Sequence, residues 1–547
     1  MNETRALVEH TALVQALRNP HAYPHQADAV EVIETHISSV LLAGEYAYKV
    51  KKPVDLGFVD FTSLERRKHF CEEELRLNRR GAPSLYIDVV PITGDIGSPH
   101  VGYGPGPTIE YAVQMHRFAA GARLDFLARA GLLSCAHIDQ LALSVATYHE
   151  QCEAAPHGKE FGRPEVILRW ATDNLGDLEG AQFSQADSRR LRELRAWTQE
   201  EFERRASLFE QRRKSGRVRE CHGDLHLGNI VLLQDAPVPF DCIEFNDELR
   251  FIDVMNDVAF AFMDLIDHRL APFAWRFLGA YLERVGDYEG LATLRFYAVY
   301  RALVRAKIAL IRRAQADTSA EERTVDWASV VRYLKVAYAL ARPPTPQLIL
   351  TCGVTATGKT TVAQVLLEQL GAVRLRSDLE RKRLHGIAAK DHSASSETVG
   401  EGLYASAATE RTYARLSDLA SMVLDAGITA IVDATFLKRS QRQTFQNLAA
   451  KYGVRFSIVE CVAPPATLRT RVMQRLAQGD DASDATTQVL AHQLDEQEPL
   501  SAQERLAAFR LDTNTDRSRL EARCSWLIRR LKTNTARKEP TGQSVAC

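Results

Sequence analysis

The stretch Leu348–Thr361, LILTCGVTATGKTT, constrains this chain more than any other. It contains Gly353-Val-Thr-Ala-Thr-Gly358-Lys359-Thr360, a G-x-x-x-x-G-K-T spacing, after a short apolar run of strand character. Val362–Leu370 follows with helical periodicity. Strand, glycine loop and helix form the context in which this spacing cradles phosphate. Glycines let backbone N–H groups turn inward around an anion, and the helix adds its positive N-terminal end. Gly353, Thr355, Ala356, Thr357, Gly358, Lys359, Thr360 and Thr361 are therefore expected around a nucleoside triphosphate. Lys359 would reach the outer phosphates and the Thr360 hydroxyl would face Mg2+. The competing reading is a glycine turn before an ordinary helix.

A chain of 547 residues is too long for one core, and the length suggests about three or four domain-sized pieces. A formal net charge of −1 shows no global basic excess, so a dedicated nucleic-acid partner is not expected. The nine cysteines are scattered without a CxxC pair, which indicates neither a zinc ribbon nor a disulfide framework. The N-terminus lacks a basic region followed by an apolar core, and no 18-residue apolar run occurs. A soluble, cytoplasmic protein without membrane partners is the expectation.

Along the chain, Ser38–Lys52 reads as two strands turning at Gly44, Leu64–Arg80 as a charged helix, and Tyr86–Val90 and Thr108–Met115 as further strands. Residues 1–115 thus form a small strand-rich unit. Ile138, Leu141, Ala142, Val145 and Tyr148 then recur at helical spacing, and helices dominate residues 116–340 except over Cys221–Phe245. A proline-rich linker, residues 341–347, cannot continue a helix. Residues 348–533 alternate strands with helices, as a parallel α/β sheet would, and 534–547 read as a disordered tail.

The segment interrupting the helices is Cys221-His-Gly-Asp-Leu-His-Leu-Gly-Asn-Ile230, followed by Val238-Pro-Phe-Asp-Cys-Ile-Glu-Phe245. Asp224 and Asn229 stand five apart, and Asp241 ends an apolar run. This is the spacing of a kinase catalytic loop, with one Asp accepting the acceptor's hydroxyl proton and an Asn and a second Asp holding Mg2+. Phosphoryl transfer is mostly alignment and charge neutralisation, so it needs metal ligands and a separate carboxylate at the nucleophile. Upstream, Lys49 lies on an expected strand and Glu72–Glu74 on the next helix, the order of a lysine–glutamate phosphate clamp. Lys51 shares the face of Lys49, so the choice between them stays open.

On HGDLHLGN and FDCIEF, residues ~36–330 resemble the aminoglycoside phosphotransferase-like branch of the protein-kinase-like fold. The resemblance implies Asp224 as base, Asn229 and Asp241 on Mg2+, and Lys49 on phosphates with Glu74 as partner. It makes Glu110–Met115, with Val113 and Met115, the interlobe hinge at the adenine, and Asp257 a buried support of the catalytic loop. No G-x-G-x-x-G is present, only the Gly44 turn. His222 and His226 are expected to frame the loop rather than bind metal.

Beyond the glycine loop, Asp378 and Asp433 are expected past the carboxyl ends of strands, where open α/β sheets bind ligands. Arg381 follows Asp378, and Arg471 and Arg475 stand four apart on one helix. An Asp near an acceptor hydroxyl and arginines over the transferred phosphate make a small-molecule kinase site. The other readings are a helix cap for Asp378 and a solvated helix face for the arginines. This half resembles P-loop kinases of the gluconate kinase, zeta-toxin and polynucleotide 5′-kinase type. That resemblance implies Asp378 as base, Arg381 on the acceptor, Arg471 and Arg475 as lid arginines, Asp433 on the metal or substrate side, and Gly479–Ala485 as a lid.

The expected architecture is therefore multidomain, α+β and α/β: a bilobal kinase-like half joined to a P-loop half with a parallel sheet. The expected activity is tandem transfer from ATP·Mg2+ to the hydroxyl of a small acceptor of the sugar type. Two alternatives stay open: one active half coupled to an ATP-binding sensor, and a nucleic-acid 5′-end kinase. The sequence leaves the oligomeric state undetermined.

Overall fold

The computed structural model describes residues 3–387, 406–478 and 486–533, apart from 36, 58, 157 and 316–318. The expected lid Gly479–Ala485 and the tail 534–547 lie outside the described residues. The chain forms two compact units, Met1–Leu270 with Thr293–Ala341, and Ala271–Ala292 with Arg342–Cys547.

The first unit opens with α1 (Glu3–Ala16), then β1 (Val30–Glu34), β2 (Ser38–Ala43) and β3 (Tyr46–Lys51). After α2 (Leu64–Arg79) come β4 (Tyr86–Asp95), β5 (Ser98–Val101) and β6 (Thr108–His116). The six strands form one antiparallel sheet in the order β1-β2-β3-β6-β4-β5. Gly44 makes the β2–β3 turn at φ +57°, and a Cβ there would stand 2.7 Å from the Gln26 carbonyl oxygen. Ser63 caps α2 by accepting the Arg66 N–H at 3.2 Å, which starts that helix where its buried stripe of Cys71, Glu74 and Leu77 can meet the sheet.

The helical half runs through α3 (Leu124–Ala130), α4 (Cys135–Gln151), α5 (Pro164–Glu179) and α6 (Gln185–Lys214). The short strands β7 (Val218–Glu220), β8 (Ile230–Leu233) and β9 (Ala236–Pro239) follow, with α7 (Asp247–Arg250) and β10 (Phe251–Asp253). Helix α8 (Val254–Asp267) is buried from Val254 through Leu265 and is the spine of this half. Its cap, Asp253, accepts the Met255 N–H at 2.9 Å and both Nε and Nη2 of Arg212 from α6, at 2.7 and 2.8 Å. The chain continues through α9 (Ala271–Val285), which belongs to the second unit, and returns as α10 (Leu291–Ala314) and α11 (Ala320–Leu340).

The second unit is built on β11 (Gln347–Cys352), α12 (Lys359–Leu370), β12 (Ala372–Arg376), α13 (Ser377–Leu384), α14 (Ser406–Asp425) and β13 (Thr429–Asp433). It is completed by α15 (Arg439–Lys451), β14 (Arg455–Val462), α16 (Pro465–Gln478), α17 (Thr487–Glu496), α18 (Ala502–Arg505), β15 (Ala508–Asp512) and α19 (Arg517–Thr533). Among the described residues its five strands are all parallel, in the order β12-β13-β11-β14-β15. Leu348, Ile349 and Leu350 of the central strand are fully buried, as a strand covered on both faces requires. Ile349, Ile431 and Val459 pack with α12 and α19. The alternate residues Leu348, Leu350, Val432 and Ile458, equally buried, turn to the opposite face. The loop after β11 thus lies at the carboxyl edge of the sheet, between neighbours β13 and β14.

Candidate active sites

In the first unit, β3 carries Lys49 and Lys51 two residues apart, and α2 brings Glu74 beneath them. Lys49 Nζ donates to Glu74 Oε1 at 2.9 Å and also contacts Asp241. Lys51 Nζ donates to Glu74 Oε2 at 2.8 Å and also contacts Glu244. Lys49 lines the cleft, whereas Lys51 is fully buried over the Phe61 ring. Burial alone would lower the Lys49 pKa, but Asp241 and Glu74 outweigh it and keep the ammonium charged. Burial likewise opposes ionisation of Glu74, yet the two lysines hold its carboxyl down at about 2.

The loop from His222 to Asn229 is shaped from below. Asp257 on α8 accepts the backbone N–H groups of His222 at 2.8 Å and Gly223 at 3.0 Å, and meets His149 Nε2 at 3.3 Å. Gly223 adopts φ +83°, where a Cβ would stand 2.8 Å from the Leu249 carbonyl oxygen. Asp224, half-buried, accepts Asn229 Nδ2 at 2.8 Å and lies 3.4 Å from His226 Nε2. Burial pushes its carboxyl up, but His226, Arg305 and His222 outweigh that and hold it well below the usual carboxylate range. His222 bonds the Phe240 carbonyl at 2.9 Å and accepts the Asp224 N–H at 3.3 Å, so it frames the loop as expected. Asp241 takes the left-handed conformation at φ +64°, its N–H donating to the Tyr86 hydroxyl at 3.1 Å.

Lys49, Asp224, Asn229 and Asp241 line one cleft of about 1520 Å³. The Asn229 amide nitrogen is engaged by Asp224, so Asn229 and Asp241 can offer the cleft their oxygens. That all-oxygen pair suits Mg2+. Arg305, which the sequence did not single out, lies 3.1 Å from His226 Nε2 and lines the same cleft. Of the expected hinge residues, Met115 lines the cleft, followed by His116, Arg117 and Phe118. Val113 does not. It pairs with Lys49 across β3 and its side chain is buried in the core with Cys71 and Val231, so the cleft wall begins at the end of β6 rather than within it.

In the second unit the glycine loop turns as the sequence requires. Gly353 has φ +138°, where a Cβ would meet the Cys461 carbonyl oxygen at 2.5 Å, and Gly358 has φ +79°. Helix α12 starts after Gly358 without a side-chain cap, leaving its first N–H groups available to an anion. Thr355, Ala356, Gly358, Lys359, Thr360 and Thr361 line a cavity of about 850 Å³. Lys359 Nζ donates to the Val354 carbonyl at 2.8 Å, and burial lowers its pKa against the pull of Asp433. Thr357 is buried and turned inward: its hydroxyl donates to the Val354 carbonyl at 2.8 Å, so it shapes the loop instead of lining the cavity.

Asp378, Arg381, Asp433 and Arg475 line the same cavity. Asp378 lies in the first turn of α13, whose cap position is Arg376. Arg376 donates to it through Nη2 at 2.8 Å and Nε at 3.3 Å, and the Leu379 N–H adds 3.0 Å. Burial opposes the Asp378 charge, but Arg376 holds the carboxyl below its usual range. Asp433 Oδ1 accepts the Thr351 hydroxyl at 3.0 Å, and Asp433 and Thr360 are oxygen-bearing residues of one cavity wall, the donor type that Mg2+ takes. Arg471 is placed otherwise than expected. Its guanidinium donates to the Ala356 carbonyl at 3.2 Å and the Thr513 carbonyl at 2.8 Å, so it braces the back of the loop and is absent from the cavity wall. Thr513 and Gln493 complete that brace, donating to the Thr357 carbonyl at 2.8 Å and accepting the Thr355 N–H at 2.7 Å. No local sequence signal marks either one.

A model described as a phosphotransferase enzyme family matches residues 107–297, and one described as an AAA domain matches residues 348–500. An uncharacterized protein of Mycobacterium tuberculosis (strain ATCC 25618 / H37Rv) is 30% identical over 464 residues, covering 84% of this chain and 89% of that protein. The chain belongs to this phosphotransferase–P-loop family. Its first match takes in Asp224, Asn229 and Asp241, and its second takes in the glycine loop, Asp378 and Asp433. Among solved structures it is similar to the amicoumacin kinase hAmiN, at 14% identity over 62% of this chain and 96% of that one, TM-score 0.39. It is also similar to a gluconokinase from Sinorhizobium meliloti 1021, at 18% identity over 36% and 98%, TM-score 0.27. Both halves of this phosphotransferase–P-loop protein are kinase-type domains, which marks it as a transferase of phosphoryl groups. Among the described residues no helix is long and apolar enough to cross a membrane.

Proposed function

We propose that the chain is a tandem ATP·Mg2+-dependent phosphotransferase, each unit moving the γ-phosphoryl group to a hydroxyl of a small, sugar-like acceptor. One observation carries this reading. Each unit gathers a lysine, a carboxylate near the acceptor position and oxygen donors for a cation around a single cavity: Lys49, Asp224, Asn229 and Asp241 in one, Lys359, Asp378, Thr360 and Asp433 in the other. Mg2+ would supply charge neutralisation between the phosphates. In the first unit Lys49 holds the phosphates, and Asp224, oriented by Asn229, receives the acceptor's proton as the new O–P bond forms and the bond from the γ-phosphorus to the bridging oxygen breaks, ADP leaving. In the second, Lys359 swings from the Val354 carbonyl to the phosphates while Asp378 takes the proton. Arg475 offsets charge on the group in transit.

The test is ADP production with mass detection of products over a pooled panel of sugars and other hydroxyl metabolites. Wild type, Asp224→Asn and Lys359→Ala are compared. The tandem reading expects each variant to lose a different product. If Lys359→Ala abolishes all turnover while Asp224→Asn changes nothing, the first unit is a nucleotide-binding sensor. Salt-sensitive phosphorylation of RNA 5′ ends would instead favour the nucleic-acid reading.

A further inference from the structure

Helix α9 lies in sequence within the stretch matched by the phosphotransferase model, yet it is part of the second unit. It packs along α12: a Cβ at Gly279 would stand 2.9 Å from Leu367 Cδ1, and Trp275 joins the core cluster of the parallel sheet. Arg276 Nη1 donates to Glu368 at 2.7 Å. These contacts set the last turn of α9 beside β12.

There Glu283 meets two arginines that alternate onto one face of β12. Its Oε1 accepts Arg374 Nε at 2.9 Å and Nη2 at 2.7 Å, and its Oε2 lies 3.8 Å from Arg376 Nη1. The far side of each guanidinium is engaged at the site. Arg374 Nη1 donates to the Thr360 carbonyl at 3.2 Å, on a residue of the first turn of α12 that lines the cavity. Arg376 makes the two bonds to Asp378 described above. The backbone of α9 is held too, since Arg383 Nη2 donates to the Glu283 carbonyl at 2.8 Å. Among the described residues Glu283 is the only carboxylate within 4 Å of Arg374.

We infer that Glu283 is a positioning residue of the second site: by neutralising Arg374 and Arg376 together it fixes both the Thr360 end of the glycine loop and the carboxylate of Asp378. The inference rests on the phosphotransferase reading of that site. Without Glu283, Arg374 loses its ion-pair partner and competes with Arg376 for Asp378. The carboxylate then turns from the acceptor and is bound more tightly by cations, both of which make it a poorer base. A further consequence is that the second unit is incomplete as residues 342–547, because one of its positioning groups comes from residues 271–292.

The experiment uses the full chain carrying Glu283→Gln or Glu283→Asp, and the double substitution Glu283→Gln with Arg374→Gln. Deuterium exchange of peptides spanning 374–384 and the kinetics of the product that Lys359→Ala removes are followed together. For Glu283→Gln, faster exchange in that segment is expected, with kcat lower by roughly tenfold to a hundredfold and KM for ATP within about twofold. Glu283→Asp should recover part of kcat, and the double substitution should do better than Glu283→Gln alone because the unbalanced charge is gone. Unchanged exchange overturns the inference, and so does faster exchange with unchanged kcat. If Lys359→Ala removes no product, the phosphotransferase reading of the second site has failed, and the exchange data still decide whether Glu283 holds Asp378's segment.

Discussion

Lys49 and Lys51 place their ammonium groups on opposite oxygens of one carboxylate, that of Glu74, at 2.9 and 2.8 Å. The shared glutamate makes the first site depend on a second lysine that the cleft never meets. Removing Glu74 leaves two buried cations with less compensation, which costs more than the pair itself stabilises. Glu74→Ala should therefore lower the stability of the first unit by about 3–5 kcal/mol. Lys51→Met takes away the cation that Glu74 and Glu244 share and leaves three carboxylates to Lys49, so it should cost at least as much. Urea denaturation of both variants in parallel checks this, and a clearly smaller loss for Lys51→Met would show that the sharing is unimportant.

The acid limb of the rate profile for the first product should lie at unusually low pH, because Asp224 sets it. Its carboxyl is held below the ordinary range, so it stays ionised from neutral pH down past the unfolded value of about 3.9. Arg305→Gln removes one of the charges holding it down, and the acid limb of the rate profile should move upward. A limb that stays in place would put Arg305 outside the electrostatics of the base.

Stability itself should fall on mild acidification through His10. Burial, reinforced by Lys52 and Arg67 against Glu34, lowers its pKa to about 4. Its Nε2 lies 3.0 Å from the Ser39 hydroxyl. Unfolded, the ring takes a proton below about 6.5; folded, it does so only near the lower value, so acid favours the unfolded chain in between. The window from pH 6.5 to 4 should cost up to about 3 kcal/mol. His10→Asn should flatten that slope in thermal melts taken across the window.

Gly353→Ala would force a Cβ to within 2.5 Å of the Cys461 carbonyl oxygen. The loop must shift off β14, and calorimetric titration with a non-hydrolysable ATP analogue should show loss of the second-unit site with the first-unit site retained. Two sites of unchanged affinity would contradict the tight approach.

Arg471 and Arg475 should differ in kind although they share a helix. Arg471→Ala removes bonds to the Ala356 and Thr513 carbonyls, so KM for ATP in the second reaction should rise several-fold. Arg475 lines the cavity, and Arg475→Ala should act mainly on kcat. Steady-state kinetics separates the two, and identical effects would return both to one role.

The contrast between those arginines shows how much of each site was legible. Motifs within one loop, such as Gly353–Thr360 or His222–Asn229, are local, because their function requires adjacent backbone and side-chain groups. A helical spacing of four places Arg471 and Arg475 on one side but does not say which of them reaches the cavity and which the loop behind it. Strand alternation likewise put Lys49 and Lys51 together, and only the depth of each beneath α2 separates them. Val113 and Met115 part company because the exit of β6 into the cleft is a tertiary fact. The edge strand β15 has one buried residue, Leu511, too weak a pattern to read. Glu283, nearly a hundred positions from Asp378, carries no mark at all in its own neighbourhood.

The two-segment construction of the second unit has a consequence during synthesis. Residues 271–292 leave the ribosome before β11, α12 and β12 exist to receive them. For that interval Trp275, which joins the core of the parallel sheet, and Gly279, which meets Leu367, have none of these partners. The nascent chain therefore passes through a stage in which this face of α9 is uncovered. A translational pause shortly after residue 341 would prolong that stage, and chaperone capture would be most needed there.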